Sequence, residues 1–148
     1  MANQDTNTLV TKIKNCATGS FASSMFGKAT DINADHDIDY LDSGIKDLLH
    51  IGYPTSTITD VYKNKHQYTF NFIAARLIEA NDSDSDETKF ANLEAKMWKI
   101  LECLSDCDVV VLPGVSVSRD KGRFNDKLIT VEFSATLEVY GYCIEPSC

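Results

Sequence analysis

The residues best suited to chemistry are oxygen-bearing side chains between positions 31 and 42. They follow the spacing of a calcium loop, whose ligands stand at positions 1, 3, 5, 7, 9 and 12; the weak calcium candidates are Asp31, Asn33, Asp35, Asp37 and Asp42. The sixth position of such a loop needs a left-handed turn and is nearly always glycine, but here it is His36. We therefore expect a solvated acidic loop without bound metal, and a calcium loop is the alternative.

A basic cluster lies between positions 119 and 127, in the segment RDKGRFNDK. The segment is longer than a tight hairpin turn requires, so we expect a loop that projects from a sheet, where partner contacts concentrate. The alternative is a solvated hairpin tip. Asp120 and Asp126 dilute the positive charge and argue against direct DNA binding.

Cysteine and histidine give little indication of catalysis or metal binding. The five cysteines include no C-x-x-C pair, and no histidine stands near the pairs 103/107 and 143/148. Because no secretory signal opens the chain, we expect reduced thiols rather than a disulfide framework. None of the three histidines belongs to a metal or nucleophile motif, and no phosphate-binding glycine motif occurs. We therefore expect that the protein is not an enzyme and that it has no catalytic residue and no cofactor.

Composition is that of an ordinary globular domain. The chain has 148 residues, 43% of them hydrophobic, and a formal net charge of −8. A body with this charge repels nucleic acid unless its cations gather on one face. No run of 18 apolar residues occurs, so we expect no segment that spans a membrane.

Two amphipathic helices are predicted. The first covers the apolar positions 9–16, with Asp5 or Thr6 as its cap and Gly19 as its stop. The second covers the apolar stripe 90–104, and the acidic residues before it suit the positive end of a helix dipole. A short helix is also predicted within 38–49, in an acidic insertion at about 29–52.

Extended segments are predicted at 56–62, 65–78, 109–118 and 129–139, the third bent at Pro113-Gly114. The last alternates strictly between apolar and polar residues, which is typical of an antiparallel sheet with one wet face. After Ile73 both faces of the second segment become apolar, so we expect that end to be covered on both sides. The predicted core includes Phe70, Phe72, Leu93, Met97, Trp98, Leu101, Val131, Phe133 and Leu137.

The fold class expected from these elements is α+β. One domain, residues 1–148, would contain an antiparallel sheet of about four strands, with the N-terminal helix and the long amphipathic helix packed on one face.

Several short motifs follow one another along the chain. After the N-terminal helix come Asp39-Tyr40-Leu41, Tyr62-Lys63-Asn64, an aromatic strand 67–72 followed by Arg76, then Asn92-Leu93, Trp98, Leu112-Pro113 and a closing strand with aromatics at 137–142. This order resembles the tail terminator proteins of long-tailed bacteriophages with Gram-positive hosts, over roughly residues 5–143. The chain departs from the family pattern at 41–52 and at 95–97.

The resemblance implies a structural virion protein of the phage neck, assembled in the host cytoplasm. Such proteins form a homohexameric ring that caps the tail tube, stops its polymerisation and joins the head connector, while DNA passes through the lumen without specific binding. We then expect the 119–127 and 81–89 loops to contact neighbouring subunits or the tube; the interface candidates are Arg119, Lys121, Arg123, Phe124, Lys127, Asp84 and Asp86.

Two alternatives remain open. The chain is another neck protein, for tail completion or head–tail joining, or it is a calcium-dependent interaction module. The latter rests on the 31–42 segment, which is similar to the calcium loop of dockerin modules.

Overall fold

A computed structural model describes residues 5–28, 47–61, 65–77, 84–105, 109–121 and 128–140. Within these ranges the chain forms two helices and one seven-stranded sheet. The elements are α1 (Thr6–Ala17), β1 (Ser23–Gly27), β2 (Asp47–Gly52), β3 (Thr55–Asp60), β4 (Lys65–Leu77), α2 (Asp86–Leu104), β5 (Val109–Val111), β6 (Ser116–Lys121) and β7 (Leu128–Tyr140).

Two strands of 13 residues form the centre of the sheet. β4 and β7 pair antiparallel along their whole length, from Lys65 opposite Tyr140 to Leu77 opposite Leu128. β2 and β3 lie one after the other along the second edge of β4, and β5 and β6 do the same along β7. β1 pairs with β2 in the parallel direction. The sheet is therefore mixed.

The predicted fold class, a four-stranded antiparallel sheet under a long helix, is wrong. About half of the described residues lie in strands, and the sheet contains seven strands with one parallel pair. The error arose mainly at β2, because the short helix predicted within 38–49 extends into the residues that form this strand. Leu48, Leu49, His50 and Ile51 are all buried, and a strand buried on both faces has a continuous apolar run that local periodicity does not separate from a helix.

The segment predicted as one strand at 109–118 is two strands. Four residues, 112–115, lie between β5 and β6, whereas only residues 135 and 136 separate their partners on β7. Gly114 takes a φ of +90°, which a residue with a side chain rarely adopts. The chain therefore bulges at Pro113-Gly114 and then rejoins the same neighbour.

Side-chain caps define the starts of both helices. The Asp5 carboxylate accepts a hydrogen bond from the Thr8 amide at 2.8 Å, so the cap of α1 is Asp5 rather than Thr6, and this bond lowers the pKa of Asp5. The Ser85 hydroxyl accepts from the Thr88 amide at 3.2 Å at the start of α2. The cap of α2 is therefore Ser85.

The main core lies between one face of the sheet and the two helices. Every predicted core residue is buried there except Trp98; the buried ones are Phe70, Phe72, Leu93, Met97, Leu101, Val131, Phe133 and Leu137. Trp98 is 50% exposed, and its ring meets the Phe133 ring edge-on with centroids 5.1 Å apart. The placement of Trp98 in the core is therefore wrong, because it lies at the edge of the apolar stripe of α2.

A disulfide joins the two helices. Cys16 of α1 and Cys103 of α2 are bonded, with their Cα atoms 5.9 Å apart. The expectation of reduced thiols is wrong for this pair. Eighty-seven positions separate the two residues in sequence, so only the packing of α1 on α2 brings them together.

Neither described helix combines the length and the apolar composition needed to cross a lipid bilayer.

Candidate interaction surface on the sheet

The sheet face opposite the helices carries mostly polar side chains, and we call this set the polar face. Because cross-strand partners project to the same side, the strand register assigns its members. They come from β3, β4, β6 and β7: Thr55, Thr57, Asp60, Lys65, Gln67, Thr69, Asn71, Ser116, Ser118, Asp120, Glu132, Ser134, Thr136 and Glu138. All are half-buried or exposed, so the face is open to solvent within the described residues.

Hydrogen bonds and an ion pair between β4 and β7 order the middle of this face. The hydroxyls of Thr69 and Thr136 lie 2.9 Å apart across the ladder. Glu138 accepts a hydrogen bond from the Gln67 side-chain amide at 3.2 Å and pairs with Lys65 at 3.0 Å. The side chains are therefore held in fixed rows rather than extended freely into solvent.

The charge on the polar face is negative. Among the described residues, its carboxylates are Asp60, Asp120, Glu132 and Glu138, and its cation is Lys65. The hydrogen bond from Lys65 holds the pKa of Glu138 below its ordinary value, because it stabilises the charged form of this carboxylate. A hydroxyl-rich face with excess negative charge binds water well and repels phosphate groups.

On β4 the polar face ends at Asn71, because the next residues of this strand are buried on both sides. Leu48, Ile73 and Ala75 form a second apolar cluster on this same side of the sheet, with Ala22 packed against it. His50 is also buried on this side, and its Nε2 lies 3.1 Å from the carbonyl oxygen of Gly27. The expected covering of β4 on both sides after Ile73 is confirmed, since residues 72–75 are all buried.

A buried carboxylate on the helix side joins three elements near this end. Asp47 of β2 is 1% exposed and accepts two hydrogen bonds from Arg76 of β4, at 2.7 and 3.0 Å. Lys96 of α2 also donates to this carboxylate through its Nζ. We call Asp47, Arg76 and Lys96 the charge cluster. Its carboxylate is fully occupied by cations of the same chain, so the cluster fixes β2, β4 and α2 relative to one another.

Four of the predicted interface residues are paired within the chain. Arg119 and Lys121 belong to β6 rather than to a projecting loop, and they pair with Glu94 and Asp86 of α2, the second pair at 3.1 Å. Asp84 lies 4.0 Å from Arg76. The start of the predicted loop therefore holds β6 against α2. The prediction placed the start of the loop at Arg119, inside β6, because charged side chains on an edge strand resemble those of a loop in sequence.

The other candidates lie outside the described residues. This applies to the whole calcium segment, Asp31, Asn33, Asp35, Asp37 and Asp42, and to Arg123, Phe124 and Lys127. In the part of the chain that the structure describes, no cluster of three or more histidine, cysteine or acidic side chains is arranged to hold a metal ion.

Sequence reasoning missed the charge cluster and the disulfide. Asp47 falls in the helix predicted within 38–49, so its position opposite Arg76 in the ladder could not be predicted. The available signal was the short run of consecutive apolar residues after Asp47, which also fits a strand buried on both faces. No local pattern pointed to Cys16 and Cys103.

No protein-family model matches this chain, and no curated protein sequence matches it significantly.

Proposed function

We propose that this protein is a ring-forming tail terminator of a long-tailed bacteriophage. In this proposal, identical copies form a closed ring in the virion neck after assembly in the host cytoplasm. The ring caps the tail tube, stops its polymerisation and contacts the head connector. The protein acts through surfaces, with no catalytic step.

The order of motifs in the sequence supports the family assignment. The aromatic strand followed by Arg76 corresponds to β4, and the segment with Trp98 corresponds to α2. The closing strand corresponds to β7.

The polar face is the observation that carries the proposal. DNA passing through a neck ring requires a wall that stays hydrated and does not retain phosphates, because each neutralised phosphate adds to binding. A face built of hydroxyls, with carboxylates in excess over lysine, meets this requirement, while the helices and the core lie on the other side. The proposal therefore orients the polar face toward the lumen.

The first test is the mass of the assembly. The purified protein is examined by light scattering and electron microscopy, alone and with the tail-tube protein of its own phage. We expect rings of six 16.4-kDa subunits, or about 98 kDa, free or at tube ends, and tubes that stop elongating. A protein that stays monomeric in both settings, with tubes that elongate normally, contradicts the proposal.

The second test is charge reversal on the polar face. The double variant Glu132→Lys, Glu138→Lys should still form rings but retain duplex DNA, with affinity at low salt raised at least about tenfold. The matched control is Ala91→Lys, Ala95→Lys, Glu102→Lys, which makes the same total charge change at exposed positions of α2 outside the expected contact loops. Fluorescence anisotropy with labelled DNA measures both. Equal gains in the two variants would remove the lumen assignment of the polar face.

A further inference from the structure

The Cys16–Cys103 bond lies at matching ends of the two helices. Cys16 is one residue from the end of α1, and Cys103 is one residue from the end of α2. Cys103 is exposed, whereas Cys16 is half-buried and packs against the core. An incoming thiolate therefore reaches the sulfur of Cys103 more easily than that of Cys16.

The bridge ties the N-terminal part of the fold to the rest. α1 buries Leu9, Ile13 and Ala17 in the core and packs mainly on α2. Just after α1, the Ala22 amide donates to the Asp47 carbonyl at 2.7 Å, and β1 then pairs with β2. Packing, one parallel strand pair and the disulfide thus hold α1 and β1 in place, and the disulfide alone among these responds to redox conditions.

We propose that Cys16 and Cys103 form a reversible redox site that controls how firmly α1 and β1 are held. A low-molecular-weight thiolate attacks the Cys103 Sγ, breaks the protein disulfide and forms a mixed disulfide, while Cys16 leaves as a thiolate and takes up a proton. A second thiolate attacks the sulfur of the small thiol in this mixed disulfide and releases Cys103. The protein gains two electrons and two protons, and two small thiols become one small disulfide; a small disulfide such as oxidised glutathione drives the reverse reaction.

Opening the bridge has a local consequence. The unfolded chain regains the freedom that the cross-link removed, and α1 is then held by packing alone. Since α1 contacts the described fold mainly through α2, it opens more readily than the central strands β4 and β7, which pair with each other along their whole length. The proposal is independent of ring formation and does not rest on the function proposed above.

The test equilibrates the whole protein in mixtures of reduced and oxidised glutathione, followed by acid quenching and peptide mass mapping. We expect the fraction of linked Cys16–Cys103 peptide to rise and fall reversibly with the glutathione ratio. Amide hydrogen exchange in α1 should become at least about tenfold faster in the reduced protein, with a smaller change in β7. A pair that never links, or that stays linked in excess reduced glutathione, overturns the proposal.

Two variants assign the response to this pair. Cys103→Ser should give α1 the fast exchange of the reduced protein under all conditions. Cys107→Ser alters a thiol four positions away and should keep the full redox response. Loss of the response in Cys107→Ser, or slow α1 exchange in Cys103→Ser, would contradict the assignment.

Discussion

The two ends of β4 follow different physical rules. In residues 65–71 every second side chain joins the polar face, where Lys65, Gln67 and Thr69 are half-buried and Asn71 is exposed. Residues 72–75 are buried without interruption, although the strand continues in the same ladder with β7. The backbone hydrogen bonds are alike at both ends, so the difference lies in what covers each face.

Each end also has an ion pair, and the two differ in the same way. At the wet end Lys65 pairs with Glu138, and their side chains are 31% and 21% exposed. At the buried end Arg76 pairs with Asp47, whose side chain is 1% exposed. Water stabilises the separated charges at the first site and is largely excluded from the second. One strand thus combines a buried anchor with a hydrated surface.

The largest effect is expected at the buried end, from Asp47→Asn. The change keeps the size of the side chain but removes the charge, and it leaves Arg76 and Lys96 without their shared anion. We expect the free energy of unfolding to fall by about 3 kcal/mol in a urea titration. Asp120→Asn is the matched control on the polar face and should cost less than about 0.5 kcal/mol. Equal costs would remove the distinction between the two ends.

A smaller effect is expected from Ile73→Ala. This change truncates a side chain in the second apolar cluster, on the sheet face opposite the helices. Loss of apolar contacts and the resulting cavity should destabilise the protein by about 2 kcal/mol. Asn71→Ala changes the adjacent position on the same face, where the side chain is exposed, and should stay within about 0.5 kcal/mol. Unfolding midpoints measure both variants. A small cost for Ile73→Ala would mean that this face is not covered in solution.

The smallest effect concerns pH and the wet end. Lys65 lowers the pKa of folded Glu138, so this carboxylate stabilises the fold above the unfolded pKa of glutamate. The contribution is lost as the pH falls through the lower folded pKa, and we expect it to be below about 1 kcal/mol because the pair is partly solvated. NMR titration of Glu138 in Lys65→Met should show its pKa returning toward the ordinary value. An unchanged pKa in this variant would exclude Lys65 as the cause.

Local periodicity predicted the parts of the fold that have one wet face. The strict alternation of 129–139 located β7, and the stripe at 90–104 located α2. It failed at β2, where burial on both faces removes the alternation, and Phe26 of β1 gave no strand signal. Most of the polar face could be predicted from β4 and β7 alone.

The long-range pairs could not be predicted. Asp47 meets Arg76 through strand register and Lys96 through helix packing, and Cys16 meets Cys103 across 87 positions. Neither set of contacts can be inferred from the spacing of residues along the chain. The charges of Arg119 and Lys121 led to the opposite error. They favoured a loop in the sequence, but both residues belong to a strand and pair with α2.

The interruptions in the strands that flank β4 and β7 have a consequence for aggregation. The two uninterrupted 13-residue strands lie inside the sheet, while their flanking neighbours are divided at Tyr53-Pro54 and at Pro113-Gly114. A long, straight outer strand is a template on which further chains can stack into aggregates. Because these strands are divided into pieces of six residues or fewer, each of them offers a stray chain only a short template for such stacking.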